Sequence, residues 1–326
     1  MPKDAVQNTE RYLRPGQTIQ MEKVLRGSSF GGEQIRIVEN GANLITISKT
    51  RHDLRKHLKS MDASGIRYAL LSIATWQDWT TRESAPIINN EMANVIDGYR
   101  DRFGGLAAVS PTEDGADEEL DRAVKDLGMK GLALTTNFHG LYPDEDVYRP
   151  LFKKASQLRV PVFFHAAGTP GCNKDFLKFD LDRSLGRQYD HLLATVRLLY
   201  SKYVQEFPNL KFVQGHYGGG FFLFQRRFLG GDSVNAEIVG KHYRRYIHSF
   251  YFDTAPCFWW GTKEFESAVA LAGSDSLMLG SDYPLGEPKQ RKTKMGVGII
   301  QDANIPDKDK QKILGGNAAR VFGIKE

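Results

Sequence analysis

The sequence has few cysteines and no long apolar run, and each shortage excludes a class of protein. Only two of the 326 residues are cysteine, Cys172 and Cys257, far apart and without a CxxC spacing. This argues against a disulfide framework and favours a reducing compartment. No apolar stretch approaches the roughly 18 residues that a membrane-spanning helix needs. The first residues also lack the apolar core of a signal peptide. We therefore expect a cytoplasmic protein with no membrane partner.

The chain also has little excess of one sign of charge over the other. Lys and Arg total 44 against 39 Asp and Glu, which gives a net charge of +5. The basic residues are spread through the chain, and none of their runs alternates with aromatic residues, so we expect no nucleic-acid partner. Hydrophobic residues make up 41% of the chain and charged residues 25%, which predicts a large packed core. The slight positive balance suits a small anionic substrate, although a solvated surface explains it equally well.

Short apolar runs alternate with amphipathic helical patterns from about residue 67 onward, which indicates a parallel sheet covered by helices. The strand candidates are Tyr68–Ile73, Leu106–Val109, Gly131–Leu134, Val160–Phe164, Lys211–Gln214, Phe250–Asp253 and Leu277–Gly280. These are seven, whereas a closed (β/α)8 barrel has eight. We predict an α/β fold, a (β/α)8 TIM-like barrel whose first strand is missing or replaced. A seven-stranded or open α/β sheet is the alternative.

The N-terminal segment, residues 1–66, differs from the rest of the chain. Its one strand candidate, Asn43–Ile47, lies in a polar and glycine-rich region and is typical of an inserted loop or hairpin. No repeat or interdomain linker interrupts the chain. We therefore predict a single domain over residues 1–326.

Polar side chains follow three of the predicted strands. His165, His216 and Asp282 each come directly after a strand or within a few residues of its end. In a barrel these positions share the rim that carries the active site. Any one of them could be a hydrogen-bonded structural histidine or a helix N-cap. Together, imidazole and carboxylate groups are the ligands of Zn²⁺ and similar ions, and histidine also suits acid–base work near neutral pH.

Several motifs extend this pattern and carry a family resemblance. The most specific are FPNLKFVQGHYGGG (207–220), LGSDYPLGE (279–287) and ILGGNAARVFG (313–323). In their order and spacing the chain resembles the amidohydrolase-related family, which includes aminocarboxymuconate-semialdehyde decarboxylase and γ-resorcylate decarboxylase. The similarity runs from about residue 52 to the end.

The resemblance implies a role for each residue. His165 and Asp282 would bind a divalent metal, zinc or alternatively manganese. His216 and Asp282 would be catalytic, with His216 activating water or protonating the substrate. Arg227 would bind a substrate carboxylate, although the adjacent Arg226 could do so instead.

Two tryptophans add a prediction about the substrate. Trp259 and Trp260 follow the strand ending at Asp253. On the rim they would form an apolar wall for a planar ring. Core packing or a subunit interface is the alternative.

The sequence departs from the family at its N-terminal end. The family opens with a strand that ends in a His-x-His or Glu-x-His pair, and no histidine of this chain forms such a pair. His52 and His57 lie in a predicted helix and are poor substitutes. Either the chain begins downstream of that strand, whose ligands are then lost from this sequence, or the lineage has discarded the pair and works without a tightly bound metal, or no longer catalyses a reaction. Without the pair, the metal site of this chain would be incomplete.

Three functions of different classes follow. The first is a metal-dependent non-oxidative decarboxylase of an aromatic or unsaturated carboxylic acid. The second is a hydrolase of a lactone, amide or ring carbonyl, possible even without a metal. The third is a non-catalytic barrel subunit. The family also implies a homo-oligomer, a dimer or larger, that acts on a small carboxylate or cyclic molecule.

Overall fold

The structure is a computed structural model, and it describes residues 17–24, 32–39, 42–48, 53–168, 176, 179, 181–228, 236–285 and 292–325. The barrel strands are β4 (Ala69–Leu71), β5 (Phe103–Gly105), β6 (Ala107–Ala108), β7 (Leu132–Thr135), β8 (Val162–His165), β9 (Phe212–Gln214), β10 (Phe250–Asp253) and β11 (Leu277–Met278). Every pair among them is parallel. The predicted α/β barrel is therefore confirmed.

β5 and β6 are consecutive parts of one barrel strand, which changes its pairing partner at Leu106. β5 pairs with β4, and β6 pairs with β7, with the switch at Leu106. The amide of Leu106 still donates to the carbonyl oxygen of Leu71 at 2.9 Å, and the next amide, of Ala107, donates to that of Gly131 at 2.8 Å. Counted this way, the described residues supply seven barrel strands, and each overlaps a predicted one.

Helices follow the strands as the amphipathic patterns predict. They are α1 (Leu54–Ser64), α2 (Ser84–Asp97), α3 (Ala116–Lys125), α4 (Arg149–Leu158), α5 (Arg187–Tyr200), α6 (Tyr203–Glu206), α7 (Tyr217–Phe228), α8 (Ala236–Tyr246), α9 (Cys257–Trp260), α10 (Thr262–Ala272), α11 (Lys292–Asp302), α12 (Asp307–Gln311) and α13 (Asn317–Phe322). In α1, Asp53 caps the first turn and Gly65 ends the helix in the left-handed conformation. None of the helices in the described part of the chain is long and apolar enough to cross a membrane.

The barrel interior is a packed apolar core. Strand side chains that point inward meet one residue of the C-terminal helix: Leu106, Ala133, Val213, Tyr251, Met278 and Phe322. The chain end covers the same region, since the Arg67 guanidinium donates to the carbonyl oxygen of Lys325 at 2.9 Å. Larger aromatic side chains fill the layer between strands and helices. A cavity beside this core leaves space toward the rim and toward one side of the barrel.

That side lies between β11 and β4. β11 pairs only with β10, and β4 only with β5, among the described residues. All three residues of β4 are partly exposed, whereas the four residues of β7 are buried. No strand of the described chain occupies the position that the sequence analysis found vacant.

The N-terminal segment forms an antiparallel sheet, whereas the barrel strands are parallel. β1 (Gln17–Val24), β2 (Gly32–Glu39) and β3 (Ala42–Ser48) form an antiparallel sheet of three strands. The predicted strand at 43–47 is thus part of a sheet one strand larger than a hairpin. The single-domain assignment stays a prediction.

Candidate active site

Three side chains converge at the C-terminal rim of the barrel. His165 is the last residue of β8, His216 follows β9, and Asp282 follows β11. One ligand atom from each lies within 4.8 Å of the others, so the three could hold a metal ion. The sequence analysis assigned His216 to catalysis alone, and the structure adds it to the possible ligands.

Backbone contacts orient the His165 ring. Its Nδ1 lies 3.0 Å from the carbonyl oxygen of Ala166, and because a carbonyl only accepts, Nδ1 carries the proton. Nε2 then presents its lone pair toward Asp282, whose Oδ1 is 3.9 Å away. A hydrogen bond that fixes the tautomer in this way is the usual support of a metal-binding histidine.

His216 begins a left-handed turn. Five consecutive residues have positive φ: His216 (53°), Tyr217 (55°), Gly218 (58°), Gly219 (67°) and Gly220 (81°). Glycine adopts this conformation without the penalty of about 1–2 kcal/mol that other residues incur, which accounts for the glycine run. The turn is also held at its start, because the His216 amide donates to Asp253 Oδ1 at 2.8 Å.

The glycines also permit a close approach of α5. A Cβ on Gly219 would overlap the carbonyl oxygen of Gln188 and lie 2.7 Å from the amide nitrogen of Leu192. The first turn of α5 is fixed independently by Asp190, which is fully buried. This carboxylate accepts hydrogen bonds from the side chains of Thr136, Asn137 and Tyr142, which belong to β7's outgoing loop. These hydrogen bonds and the close packing on Gly219 therefore fix the N-terminal end of α5 next to His216.

Burial determines the protonation of the site. It lowers the pKa of His216 to about 4, although the nearby Asp282 carboxylate acts in the opposite direction. It raises the pKa of Asp253 to about 7, against hydrogen bonds from the amides of His216 and Ala255. At neutral pH His216 is neutral and can offer a lone pair, while Asp253 holds a proton for much of the time.

A second buried histidine stands next to this group. His191, in α5, has no exposed surface, and its ring centroid is 5.1 Å from that of His216. Burial holds the pKa of His191 well below its usual value, and His216, His165 and Arg187 lower it further. Sequence reasoning missed this residue, because a histidine inside a helix carries no strand-end signal.

A cavity of about 1110 Å³ opens beside the cluster. Its lining includes His165, Asp253 and Asp282 together with residues of both β4 and β11. It therefore extends from the rim into the gap between these strands. Asp253 ends a predicted strand and His165 directly follows one, so a similar positional rule could have identified Asp253.

His57 is on the wall of this cavity. Its ring stacks on Tyr283 with centroids 3.7 Å apart and planes 4° apart. Burial lowers the pKa of His57 to about 4. Among the described residues it does not join the three-residue cluster, in agreement with its being a poor substitute for the family's histidine pair. His52 lies outside the described residues.

Three predicted substrate-binding residues are not brought to the cavity. Arg227 is exposed near the end of α7, and neither it nor the tryptophans contribute to the lining. Trp259 is 65% exposed, and the Lys292 ammonium is 5.1 Å from its ring centroid. Trp260 packs edge-to-face on Tyr217 at 5.7 Å. Their role in substrate binding stays a prediction.

Comparison with known proteins is consistent with this geometry. A sequence profile of the family described as Amidohydrolase matches residues 41–324. The 2-amino-3-carboxymuconate-6-semialdehyde decarboxylase of Dictyostelium discoideum is 27% identical over 248 residues, which are 74% of this chain and 66% of that protein. The gamma-resorcylate decarboxylase of Rhizobium sp. (strain MTP-10005) is 27% identical over 308 residues, covering 86% of this chain and 88% of that protein.

A solved structure has the same fold. It is a dihydroxybenzoic acid decarboxylase from Polaromonas sp. JS666 with bound manganese and the inhibitor 2-nitroresorcinol. The two chains are 23% identical with a TM-score of 0.69, over 83% of this chain and 86% of that one. At this identity the likeness concerns the fold.

Proposed function

Because this chain belongs to the amidohydrolase family, we propose that it is a metal-dependent, non-oxidative decarboxylase of an aromatic or unsaturated carboxylic acid. The observation that carries the proposal is the convergence of His165, His216 and Asp282, two of which, His165 and Asp282, line a cavity. The relatives named as decarboxylases of γ-resorcylate and of an aminocarboxymuconate semialdehyde support the same reaction class.

The three residues fit a divalent metal by their chemistry. Two imidazoles and one carboxylate are suitable ligands for Zn²⁺ and Mn²⁺. The lowered pKa of His216 keeps that ring neutral, which metal binding requires. Three protein ligands also leave coordination positions open for a substrate. The manganese in the Polaromonas enzyme makes Mn²⁺ a candidate equal to Zn²⁺.

In the proposed reaction the bond between the ring carbon and the carboxylate carbon breaks. CO2 leaves, the ring carbon keeps the electron pair, and a proton takes the vacated position. A bound metal would supply a Lewis acid that holds the carboxylate and an adjacent oxygen. His165, His216 and Asp282 would hold the metal at the rim, beside the cavity that could take the substrate.

The residues of the chain also account for the proton. Asp253 lies on the cavity wall, and its pKa of about 7 leaves it partly protonated at neutral pH. His216 is neutral at that pH, so it offers a lone pair to the site and does not store a proton. We therefore assign proton storage to Asp253 and keep His216 as the catalytic histidine.

The test is CO2 release from a panel of hydroxybenzoates that includes 2,6-dihydroxybenzoate, with protein reconstituted separately with Mn²⁺ and Zn²⁺. We expect one CO2 for each decarboxylated phenol formed. Absence of CO2 from every acid at full metal occupancy would contradict the proposal. Ring opening of a lactone panel under the same conditions would favour hydrolysis instead.

Other predictions accompany this function. Arg227 is the candidate for binding the substrate carboxylate, and Trp259 and Trp260 for contacting its ring. The family supports a homo-oligomer, and the scarcity of cysteine supports a cytoplasmic location. Comparing KM for Arg227→Ala with KM for the neighbouring Arg226→Ala tests the first of these.

A further inference from the structure

The two histidines of the cluster differ in how their rings are supported. His165 donates from Nδ1 to the carbonyl oxygen of Ala166 at 3.0 Å, which leaves Nε2 facing Asp282. The Nδ1 of His216 is buried and has no hydrogen-bond partner in the described part of the chain. A histidine that binds a metal through one nitrogen normally donates from the other. His216 therefore needs an acceptor for Nδ1.

His191 is in a suitable position to be that acceptor. Both of its ring nitrogens are buried and, like Nδ1 of His216, lack a partner among the described residues. The centroids of the two rings are 5.1 Å apart and their planes are inclined by 42°. Two imidazoles joined by a hydrogen bond between nitrogens have centroids roughly 5 Å apart, since each nitrogen lies about 1 Å from its ring centre and the bond adds about 3 Å. The observed separation of the two rings is thus compatible with such a bond.

The surrounding structure places His191 there. Asp190, the preceding residue, is tied to the loop after β7 by three side-chain hydrogen bonds. Gly219, three residues after His216, lets the backbone of α5 approach more closely than any other residue type would. A Cβ on Gly215 would lie 3.3 Å from Cε1 of His191, so the end of β9 also packs against this ring. The two histidines are held in contact from both sides.

We propose that His191 is a positioning residue, which accepts a hydrogen bond from Nδ1–H of His216 and thereby directs Nε2 of His216 toward the metal. The inference rests on the metal site proposed above. It adds a residue of α5 to a site otherwise built from strand ends.

A matched pair of variants tests the inference. His191→Gln keeps a hydrogen-bond acceptor, whereas His191→Met has nearly the same length and volume without one. His242→Met is the control, because His242 is also partly buried and hydrogen-bonded, to the Leu199 carbonyl oxygen, but is not part of the cluster. Mn²⁺ affinity is measured from the EPR signal of the free ion, and the ligand field from the visible spectrum of the Co²⁺ protein.

The Met variant is expected to bind Mn²⁺ about 10- to 100-fold more weakly, with a changed Co²⁺ spectrum. The Gln variant and the control should stay close to the unmodified protein in both measurements. Unchanged affinity and spectrum in a folded His191→Met protein would overturn the inference, as would equal losses in the Gln and Met variants. If the unmodified protein binds no Mn²⁺, the proposed function fails first, so the two failures are distinguishable.

A measurement on the unmodified protein is independent of how the variants fold. In the Zn²⁺-loaded, ¹⁵N-histidine-labelled protein, His216 should be protonated at Nδ1 and should show a scalar coupling across the hydrogen bond to a nitrogen of His191. A His216 protonated at Nε2, or protonated at Nδ1 without that coupling, would overturn the inference.

Discussion

The barrel has two unlike sides, a closed arc from β6 to β11 and an open side between β11 and β4. On the closed arc β7 to β10 are each paired on both sides, and His165, His216 and Asp253 stand at or near strand ends held by backbone contacts. On the open side β4 is partly exposed and the cavity extends between the two unpaired strand edges. Among the described residues, strand pairing continues along the first side, whereas no strand pairing joins β11 to β4 on the other.

The two sides therefore suit two different functions, the chemistry on the closed arc and substrate access on the open side. Metal binding and proton transfer need atoms held to within a fraction of an ångström, and strand ends of a closed arc provide that precision. Access of a substrate needs space, which the open side provides. Substitutions on the closed arc should therefore change the chemistry, and substitutions on the open side should mainly change stability. Four predictions test this comparison.

The largest effect is expected at His216. His216→Asn removes the catalytic imidazole and weakens the metal site, while the amide still fits the turn. We expect kcat to fall by about 10²- to 10⁴-fold with an unchanged circular dichroism spectrum. Steady-state CO2 release is the measurement. Undiminished CO2 release by this variant would mean that the active site lies elsewhere or that the barrel is not the catalyst.

Asp282→Asn should show its effect first in metal binding. The amide keeps the shape of the side chain but removes the negative charge that lies near Nε2 of His165. We expect Mn²⁺ to bind at least about 10-fold more weakly, measured by titration with the EPR signal of the free ion. Asp275→Asn is the matched control, since Asp275 is an exposed aspartate paired with Lys312 and is not in the cluster. Equal affinities in both variants would remove Asp282 from the metal site.

Two neighbouring glycines distinguish close packing from backbone strain. Both Gly219 and Gly220 have positive φ, but only at Gly219 would a Cβ meet the backbone of α5. Gly220→Ala should cost about 1–2 kcal/mol of unfolding free energy from its conformation. Gly219→Ala should cost about 1–3 kcal/mol more, because overpacking is added, and should weaken Mn²⁺ binding. Urea unfolding measures both, and identical losses would show that α5 does not rest on Gly219.

The smallest effect is expected at His57, on the open side. Its folded-state pKa of about 4 lies below the usual value of 6.5, so the unfolded chain binds more protons between these pH values. The stability it contributes is thus present above about pH 6.5 and is lost as the pH falls toward 4, by at most about 3 kcal/mol. His57→Phe should reduce this acid sensitivity, measured by urea unfolding at several pH values. The exposed His248→Asn should not, and a similar effect of both would contradict the burial argument.

The sequence predicted the barrel well because each strand is apolar on both faces. Phe250–Asp253 matches the observed strand at both ends, and the vacancy before β4 was apparent from the strand count. The predicted cluster of His165, His216 and Asp282 also forms, since strand ends of a parallel barrel share one rim. These inferences need only local pattern and topology.

Other features depend on packing between distant segments. His191 reaches His216 because Gly219 and Asp190 set the position of α5, and neither contact leaves a periodic signal. Trp259 and Trp260 follow β10 in the chain, and their role on the rim stays a prediction. However, the short helix α9 leaves Trp259 largely exposed and packs Trp260 on Tyr217. Position along the chain thus indicated the rim but not the direction of the side chains.

The most direct test of the central claim is anomalous diffraction from crystals of the protein soaked in Mn²⁺. The account predicts one strong manganese peak within bonding distance of His165, His216 and Asp282, at the mouth of the cavity. No peak at saturating Mn²⁺, or a peak that these three residues do not reach, would contradict it.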